Sequence, residues 1–128
     1  MYAPSDMAGR VALVTGAAAG LGKATALRLA EVGADIAVLD LAAGPLAQTA
    51  QAIRAMGRRV LELPLDLSQR ENCAHAVERT VGHFGRLDAL CNVAGVMLPG
   101  RTTMITDAEW DLTMAVNLEA PFFTIRAA

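Results

Sequence analysis

The segment Val11-Ala-Leu-Val-Thr-Gly-Ala-Ala-Ala-Gly-Leu-Gly22 is the most informative part of the sequence, because it joins a short apolar run to three spaced glycines. The run Val11–Val14 is apolar at every position, as expected for a strand that is covered on both faces. After it, Gly16, Gly20 and Gly22 would let the backbone approach a ligand closely, and a helical pattern follows. A strand, a glycine-rich turn and a helix in this order predict the first unit of a parallel α/β sheet, with helix amides facing phosphate groups.

Three further apolar runs of strand length follow along the chain: Ile36–Leu39, Val60–Leu63 and Leu87–Cys91. Helical patterns separate the runs, and each helical pattern ends in a glycine. These closing glycines are Gly33, Gly57 and Gly85. Strands that alternate with helices through short connections predict an α/β fold, a doubly wound parallel sheet with right-handed crossovers and strand order 3-2-1-4. In such a sheet ligands dock beyond the carboxyl ends of the strands, here between the first and the fourth.

Two sequences have the spacing of a capping box at a helix start: Ser68-Gln-Arg-Glu71 and Thr106-Asp-Ala-Glu109. They predict helices over about 69–84 and from about 107 onward. Apolar stripes at helical spacing predict the buried faces of the second and third helices. These stripes are Leu46, Ala50 and Ile53 in the second helix and Cys73, Val77, Val81 and Phe84 in the third.

The composition is that of one globular domain, since 54% of the 128 residues are hydrophobic and 19% are charged. We expect residues 9–128 to form this domain and residues 1–8 to form a flexible N-terminal arm. A net charge of −2 offers no basic patch for nucleic acid or anionic lipid, and no apolar run reaches the ~18 residues of a membrane span. Cys73 and Cys91 lack a CxxC spacing, which favours a reducing, cytoplasmic location.

The acidic residue Asp40 ends the second apolar run, 18 residues after Gly22. A carboxylate at this place could accept hydrogen bonds from the ribose hydroxyls of an adenosine. The alternative is that Asp40 only caps the turn before the next helix. Together with the glycine-rich turn, Asp40 favours dinucleotide binding over turn capping.

These residues resemble the short-chain dehydrogenase/reductase family, whose cofactor turn has the pattern Thr-Gly-x-x-x-Gly-x-Gly found at Thr15–Gly22. Asp66-Leu67 is similar to the family's adenine-contacting pair. Asn92-Val-Ala-Gly95 is similar to its Asn-Asn-Ala-Gly segment, from which Val93 departs, and Asn117 is similar to its helix asparagine. The resemblance covers about residues 8–128 and implies a Rossmann-type fold.

The resemblance also implies a cofactor site, with NAD as cofactor. Its residues would be Gly16, Ala19, Gly20, Leu21, Gly22, Asp40, Leu41, Asp66, Leu67, Asn92, Ala94 and Gly95. NAD is favoured over NADP because a 2′-phosphate would be repelled by Asp40, and the alanines at 17–19 offer no positive charge. Among the family's catalytic residues only Asn117 is present, where it would support a water in the proton relay. We expect no metal site, since His75 and His83 have no acidic or cysteine residues near them at metal-ligand spacing.

The family's chemistry is hydride transfer between nicotinamide and a secondary alcohol or ketone, with a Tyr-x-x-x-Lys pair as acid and base. The only tyrosine here is Tyr2 and the only lysine is Lys23, so this chain cannot assemble that pair. We therefore expect the cofactor-binding half of an oxidoreductase, a truncated form that is inactive alone. The alternative is a naturally short, non-catalytic nucleotide-binding or interaction module; a flavodoxin-like domain is disfavoured because Asp40 and Asp66 suit adenosine. The relay residue Asn117 favours the oxidoreductase.

The last predicted helix is apolar around most of its circumference, and no later strand in this sequence could pair with the outer edge of the fourth strand. Such exposed apolar surface favours association. The apolar helix positions are Trp110, Leu112, Val116, Leu118, Phe122, Phe123 and Ile125. We expect a homo-oligomer formed through this helix, with small molecules as the other partners.

Overall fold

A computed structural model describes residues 6–128 of the protein, which form one parallel sheet flanked by helices. In chain order the elements are β1 (Val11–Thr15), α1 (Gly20–Glu31), β2 (Asp35–Asp40), α2 (Ala43–Ala55), β3 (Val60–Pro64), α3 (Arg70–Phe84), β4 (Ala89–Cys91), α4 (Asp107–Met114) and α5 (Ala120–Ala127). A short 3-10 turn, Thr102–Met104, precedes α4, and a π-helical turn, Ala115–Glu119, joins α4 to α5.

The strand order is β3-β2-β1-β4 and every pair is parallel, which confirms the predicted topology. Strand β1 is central, and Leu13 lies between Ala37 of β2 and Leu90 of β4. All five residues of β1 are buried, because side chains on one sheet face pack against α1 and α2 while those on the other pack against α3 and α5. On these two faces Val14 and Leu13 belong to separate core clusters. The sheet is therefore covered on both faces, as in a doubly wound α/β fold.

The predicted starts of α3 and α4, at about 69 and 107, agree with the structure within one residue, although only one of the two predicted capping boxes forms. The glycines expected to close α1, α2 and α3 all have positive φ. The Thr106–Glu109 capping box forms, and hydrogen bonds from the Thr106 backbone and hydroxyl lower the pKa of Glu109. The capping box expected at Ser68 was wrong, since α3 begins after Gln69 without a side-chain cap. The Asp66 carboxylate accepts the Ser68 amide instead (2.9 Å), so Asp66 organises this turn.

The predicted stripe of α3 needs one correction. Val81 is 42% exposed, whereas Thr80 is fully buried. Each step of four residues carries a side chain about 40° around an α-helix, so two such steps from Cys73 rotate Val81 off the core face. The buried face instead passes through Cys73, Ala76, Val77 and Thr80.

Strand β4 begins at Ala89, two residues later than predicted. The Asp88 carboxylate accepts the Val11 amide (2.9 Å) and forms a close ion pair with Arg86, while the Asp88 amide donates to the Val11 carbonyl oxygen (2.9 Å). The Arg86 guanidinium and the Val11 amide hold the pKa of Asp88 below its usual value. At the start of β1 the Val11 amide therefore bonds to the Asp88 side chain in place of a backbone carbonyl oxygen of β4. The regular β1–β4 pairing begins at the next residues, Ala12 and Ala89.

The chain ends differ in how they contact this core. Residues 1–5 of the expected arm lie outside the described residues, but the Met7 amide donates to the Val32 carbonyl oxygen (2.8 Å) and Met7 packs against the core. On the last helices several large apolar side chains are 58–63% exposed: Trp110, Leu118, Phe122 and Ile125. Strand β4 pairs only with β1 among the described strands. Within residues 6–128, no helix has the length and apolar character needed to cross a membrane.

Candidate functional site

A cavity of about 540 Å³ lies beyond the carboxyl ends of the four strands. Its walls are the turn after β1, the end of β2 and the segments after β3 and β4. Eleven residues predicted to bind a cofactor line it: Gly16, Ala19, Gly20, Leu21, Gly22, Asp40, Leu41, Asp66, Leu67, Ala94 and Gly95. The fold therefore brings together residues from four separate segments, at the edge of the sheet where doubly wound proteins bind ligands.

The glycine-rich turn is built from close backbone contacts. A Cβ at Gly22 would overlap the carbonyl oxygen of Gly16, so only glycine lets α1 pack this closely on the turn. Gly16 has φ +68°, and a Cβ there would lie 2.9 Å from the Cα of Ala94. These two glycines therefore join β1, α1 and the segment after β4 into one wall of the cavity.

The N-terminus of α1 opens onto this cavity. Its N-cap residue, Ala19, has no side chain that could accept a hydrogen bond from the first helical amides. Gly20, Leu21 and Gly22 line the cavity, and their N–H groups belong to the first turn, where an α-helix has no internal acceptors. Uncapped amides and the positive end of the helix dipole favour an anionic group at this place.

The Asp40 carboxylate is held at the end of β2 by two backbone amides. Oδ2 accepts the amide of Ala18 in the glycine-rich turn (3.0 Å), and Oδ1 accepts the amide of Leu41 (2.7 Å). Each carboxylate oxygen can accept a second hydrogen bond, so these contacts leave capacity for a ligand. The turn-capping alternative and the ligand-binding role are therefore compatible, since Asp40 both caps its turn and lines the cavity.

Asp66 and Leu67 line the cavity from the segment after β3. The side chain of Asn72 donates to the Asp66 carbonyl oxygen (2.9 Å), which, with the Ser68 contact, ties this segment to the start of α3. Leu67 is 8% exposed and packs in the core cluster that contains Cys73. This wall of the cavity is therefore anchored to the core through Leu67 and to the start of α3 through Asp66.

Asn92 was expected at the cofactor, but its side chain lies against α5. The Thr124 hydroxyl donates to Asn92 Oδ1 (2.9 Å), and Asn92 is absent from the cavity wall. The contact fixes β4 to the last helix. Sequence reasoning missed Thr124, because a threonine within an apolar helix carries no sign of a partner 32 residues away.

Sequence reasoning also missed the hydroxyl that joins β1 to β4. Thr15 is 1% exposed, and its Oγ1 accepts the amides of Val93 and Ala94 (both 3.0 Å). This contact holds the segment after β4 beside the glycine-rich turn. The available signal was a polar residue at the end of a fully apolar strand, a place where a buried hydroxyl needs a partner.

Asn117 lies in the π-helical turn between α4 and α5. Its Oδ1 accepts the Val96 amide (2.8 Å) and its Nδ2 donates to the Val96 carbonyl oxygen (2.8 Å). Val96, Leu112 and Val116 form the outer wall of the cavity and were also missed. Asn117 therefore holds a wall of the cavity through Val96 without lining the cavity itself.

The remaining titratable candidates lie away from this cavity. His75 and His83 are exposed on α3, and residues 6–128 contain no group of three or more His, Cys, Asp or Glu side chains placed to hold a metal. Burial raises the pKa of the Cys73 thiol and of the Cys91 thiol. Protonated thiols in such surroundings are poor nucleophiles.

The chain matches the family model of the short chain dehydrogenases over residues 10–128. It is 40% identical over 118 residues to "(2S)-[(R)-hydroxy(phenyl)methyl]succinyl-CoA dehydrogenase subunit BbsD" of Thauera aromatica, covering 92% of this chain and 48% of that protein. It resembles the structure of carveol dehydrogenase from Mycobacterium avium in complex with NAD (TM-score 0.87, 34% identity, 94% of this chain and 48% of that one).

A second similar structure is a short chain dehydrogenase from Burkholderia cenocepacia in complex with NADP (TM-score 0.94, 35% identity, 97% of this chain and 51% of that one). The chain thus spans about half the length of the curated relatives it matches. The family match extends from β1 to the last helix and includes every wall of the cavity. The chain therefore belongs to the short-chain dehydrogenase family.

Proposed function

We propose that this chain forms the dinucleotide-binding part of an NAD-dependent oxidoreductase that interconverts a secondary alcohol and a ketone. The observation that carries the proposal is that the uncapped N-terminus of α1 and the Asp40 carboxylate face one cavity. The first suits a pyrophosphate and the second suits the ribose hydroxyls of an adenosine. The alternative of a non-catalytic module finds no support among the relatives, which are named as dehydrogenases.

The cavity fits a dinucleotide in size and in chemistry. Its volume of about 540 Å³ lies within the range typical of small-molecule sites, ~300–1,000 Å³. The glycine-rich turn would hold the pyrophosphate, Asp40 and Leu41 the adenosine ribose, Asp66 and Leu67 the adenine, and Ala94 and Gly95 the nicotinamide half. The bound dinucleotide would supply hydride chemistry, while these residues bind it and exclude water.

Two of the predicted site residues, Asn92 and Asn117, do not line the cavity and would support it from behind its wall. Asn92 supports the site by fixing β4 to Thr124. Asn117 holds Val96 in the outer wall, and its amide keeps one further donor and one further acceptor that could order a water of the proton relay. We propose a cytoplasmic location, in keeping with two free cysteines.

Binding of NAD is the direct test of this proposal. We expect NAD to raise the melting temperature, because a ligand at ~100 times its Kd stabilises the folded state by about 2.7 kcal/mol. Titration calorimetry should also give a smaller Kd for NAD than for NADP. Equal or tighter binding of NADP would contradict the NAD assignment, and binding of neither dinucleotide would contradict the proposed site.

A polypeptide of these 128 residues is expected to show no dehydrogenase turnover, even where it binds NAD. General acid–base catalysis contributes about 10²- to 10⁴-fold, and no Tyr-x-x-x-Lys pair is available to provide it. The measurement is NADH formation followed at 340 nm with a series of secondary alcohols. Reproducible NADH formation by protein of verified mass, abolished by Asn117→Ala, would contradict this expectation.

We also propose that the exposed apolar surface of the last helices associates with a second copy of this chain. Trp110, Leu118, Phe122 and Ile125 remain 58–63% exposed, and large apolar patches seldom stay uncovered. We expect sedimentation at micromolar concentration to give a mass above the 13.4 kDa of this chain. Phe122→Glu with Ile125→Lys should shift the protein towards the monomer. A soluble 13.4 kDa monomer of the unaltered chain would contradict the proposal.

A further inference from the structure

The hydroxyl of Thr49 in α2 bonds outside its own helix, unlike the hydroxyls of most helical threonines in the described chain. In a helix, a threonine hydroxyl commonly donates to the carbonyl oxygen four residues earlier. Three threonines do so here: Thr25, Thr80 and Thr113. Thr49 is fully buried, and it donates instead to the carbonyl oxygen of Ala17 (2.9 Å), 32 residues earlier in the chain. A buried hydroxyl of α2 therefore contacts the glycine-rich turn.

The acceptor of this bond belongs to the part of the turn that holds Asp40. Ala17 is fully buried, so water does not reach its backbone. Its amide donates to the carbonyl oxygen of Leu39 (3.1 Å), and the next amide, that of Ala18, donates to Asp40 Oδ2 (3.0 Å). The Thr49 bond thus completes a set of three hydrogen bonds that join two successive peptide groups to β2 and α2.

Apolar packing places Thr49 for this contact. Its neighbours Leu46 and Ala50 on the buried face of α2 belong to the same core cluster as Ala17 and Ala18. Apolar packing alone would hold α2 against the turn, but it would leave the Ala17 carbonyl without a donor. A buried acceptor without a donor is unfavourable, so the Thr49 hydroxyl stabilises the observed position of the peptide group between Ala17 and Ala18.

We infer that Thr49 is a positioning residue for dinucleotide selection, which acts through Ala17 and Ala18 on the orientation of the Asp40 carboxylate. The inference rests on the proposed dinucleotide-binding function and names a residue outside the cavity wall. When the hydroxyl is absent, the Ala17 carbonyl turns towards water and carries the Ala18 amide away from Asp40. The carboxylate then rotates, which weakens its hydrogen bonds to the ribose of NAD and relieves its repulsion of a 2′-phosphate.

The test compares Thr49→Val, which keeps the shape of the side chain, with Thr49→Ser, which keeps the hydroxyl. The matched control is Thr80→Val, because Thr80 is also fully buried but donates within its own helix. Titration of the chain with NAD and NADP gives the ratio of the two Kd values. We expect Thr49→Val to reduce the preference for NAD by about tenfold or more, the effect of losing one hydrogen bond to a charged group. Thr49→Ser and Thr80→Val should keep the wild-type ratio.

Hydrogen exchange of residues 17–19 gives a second readout that needs no dinucleotide. Thr49→Val should speed exchange of the Ala18 amide, while Thr49→Ser and Thr80→Val should not. If Thr49→Val fails to fold, Thr49→Ala removes the same hydroxyl for both measurements. A wild-type preference for NAD that persists in the folded variant without the hydroxyl overturns this inference alone. A wild-type chain that binds neither dinucleotide overturns the proposed function and this inference with it.

Discussion

Replacing Gly22 with alanine is expected to abolish dinucleotide binding and to lower the free energy of unfolding by about 3 kcal/mol. The added Cβ would overlap the carbonyl oxygen of Gly16 and lie 3.0 Å from the amide nitrogen of Ala17. Both neighbours are backbone atoms, so no side-chain rotation can relieve the overlap, and α1 must move away from the turn. That movement displaces the uncapped amides from the place where a pyrophosphate would bind.

Gly82→Ala is the matched control for this variant. Gly82 lies within α3, and a Cβ there would meet no atom within 4 Å. The alanine should therefore stabilise the chain by about 0.5–1 kcal/mol, the usual difference in helix propensity. Denaturant unfolding gives both free energies, and calorimetric titration with NAD gives the affinities. Wild-type NAD affinity in a folded Gly22→Ala variant would show that the close packing of α1 on the turn is not needed for binding.

Asp40→Ala combined with Leu41→Arg should reverse the cofactor preference, changing the ratio of NADP to NAD affinity by about 100-fold. The first change removes the carboxylate that would bind the ribose hydroxyls and repel a 2′-phosphate. The second places a guanidinium beside that phosphate, and Leu41 is 70% exposed, so the longer side chain has room. Dissociation constants for both dinucleotides, measured at one ionic strength, give the ratio.

Glu31→Ala is the control for the loss of one negative charge. Glu31 ends α1 and pairs with Arg28 on the surface, at the end of the helix away from the cavity. The Glu31→Ala variant should leave the ratio of NADP affinity to NAD affinity unchanged. If Glu31→Ala altered the ratio as much as the Asp40 variant does, net charge and not local contact would explain the preference.

Local sequence rules were sufficient for the fold and for most of the cavity wall. The spacing of Gly16 and Gly22 indicated a turn that approaches its neighbours closely, and both positions leave no room for a Cβ. The place of Asp40 at the end of a strand indicated a carboxylate at the ligand edge of the sheet, where it lies. Such features depend on few residues close in sequence, so their pattern is visible without the fold.

The hydroxyl contacts could not be predicted in the same way. Thr15, Thr49 and Thr124 each bond a group far away in sequence, and each is buried at a position where threonine is also a common packing residue. Their partners are defined only once the sheet and helices are assembled. The contact of Asn92 with Thr124 could not be predicted for the same reason, because this partner comes from the last helix.

The central position of β1 has a consequence for the order of folding. Partner residues of β1 and β4 lie about three times as far apart along the chain as partner residues of β1 and β2. Closing the longer loop therefore costs about 1 kcal/mol more in lost chain entropy. We expect β1, α1 and β2 to associate before β4 docks. The Thr15 hydroxyl then accepts the amides of Val93 and Ala94 only when β4 docks, so the wall of the cavity beside the glycine-rich turn is completed in the last step. A ligand that spans both walls would bind the finished domain and slow its unfolding by holding β4 in place.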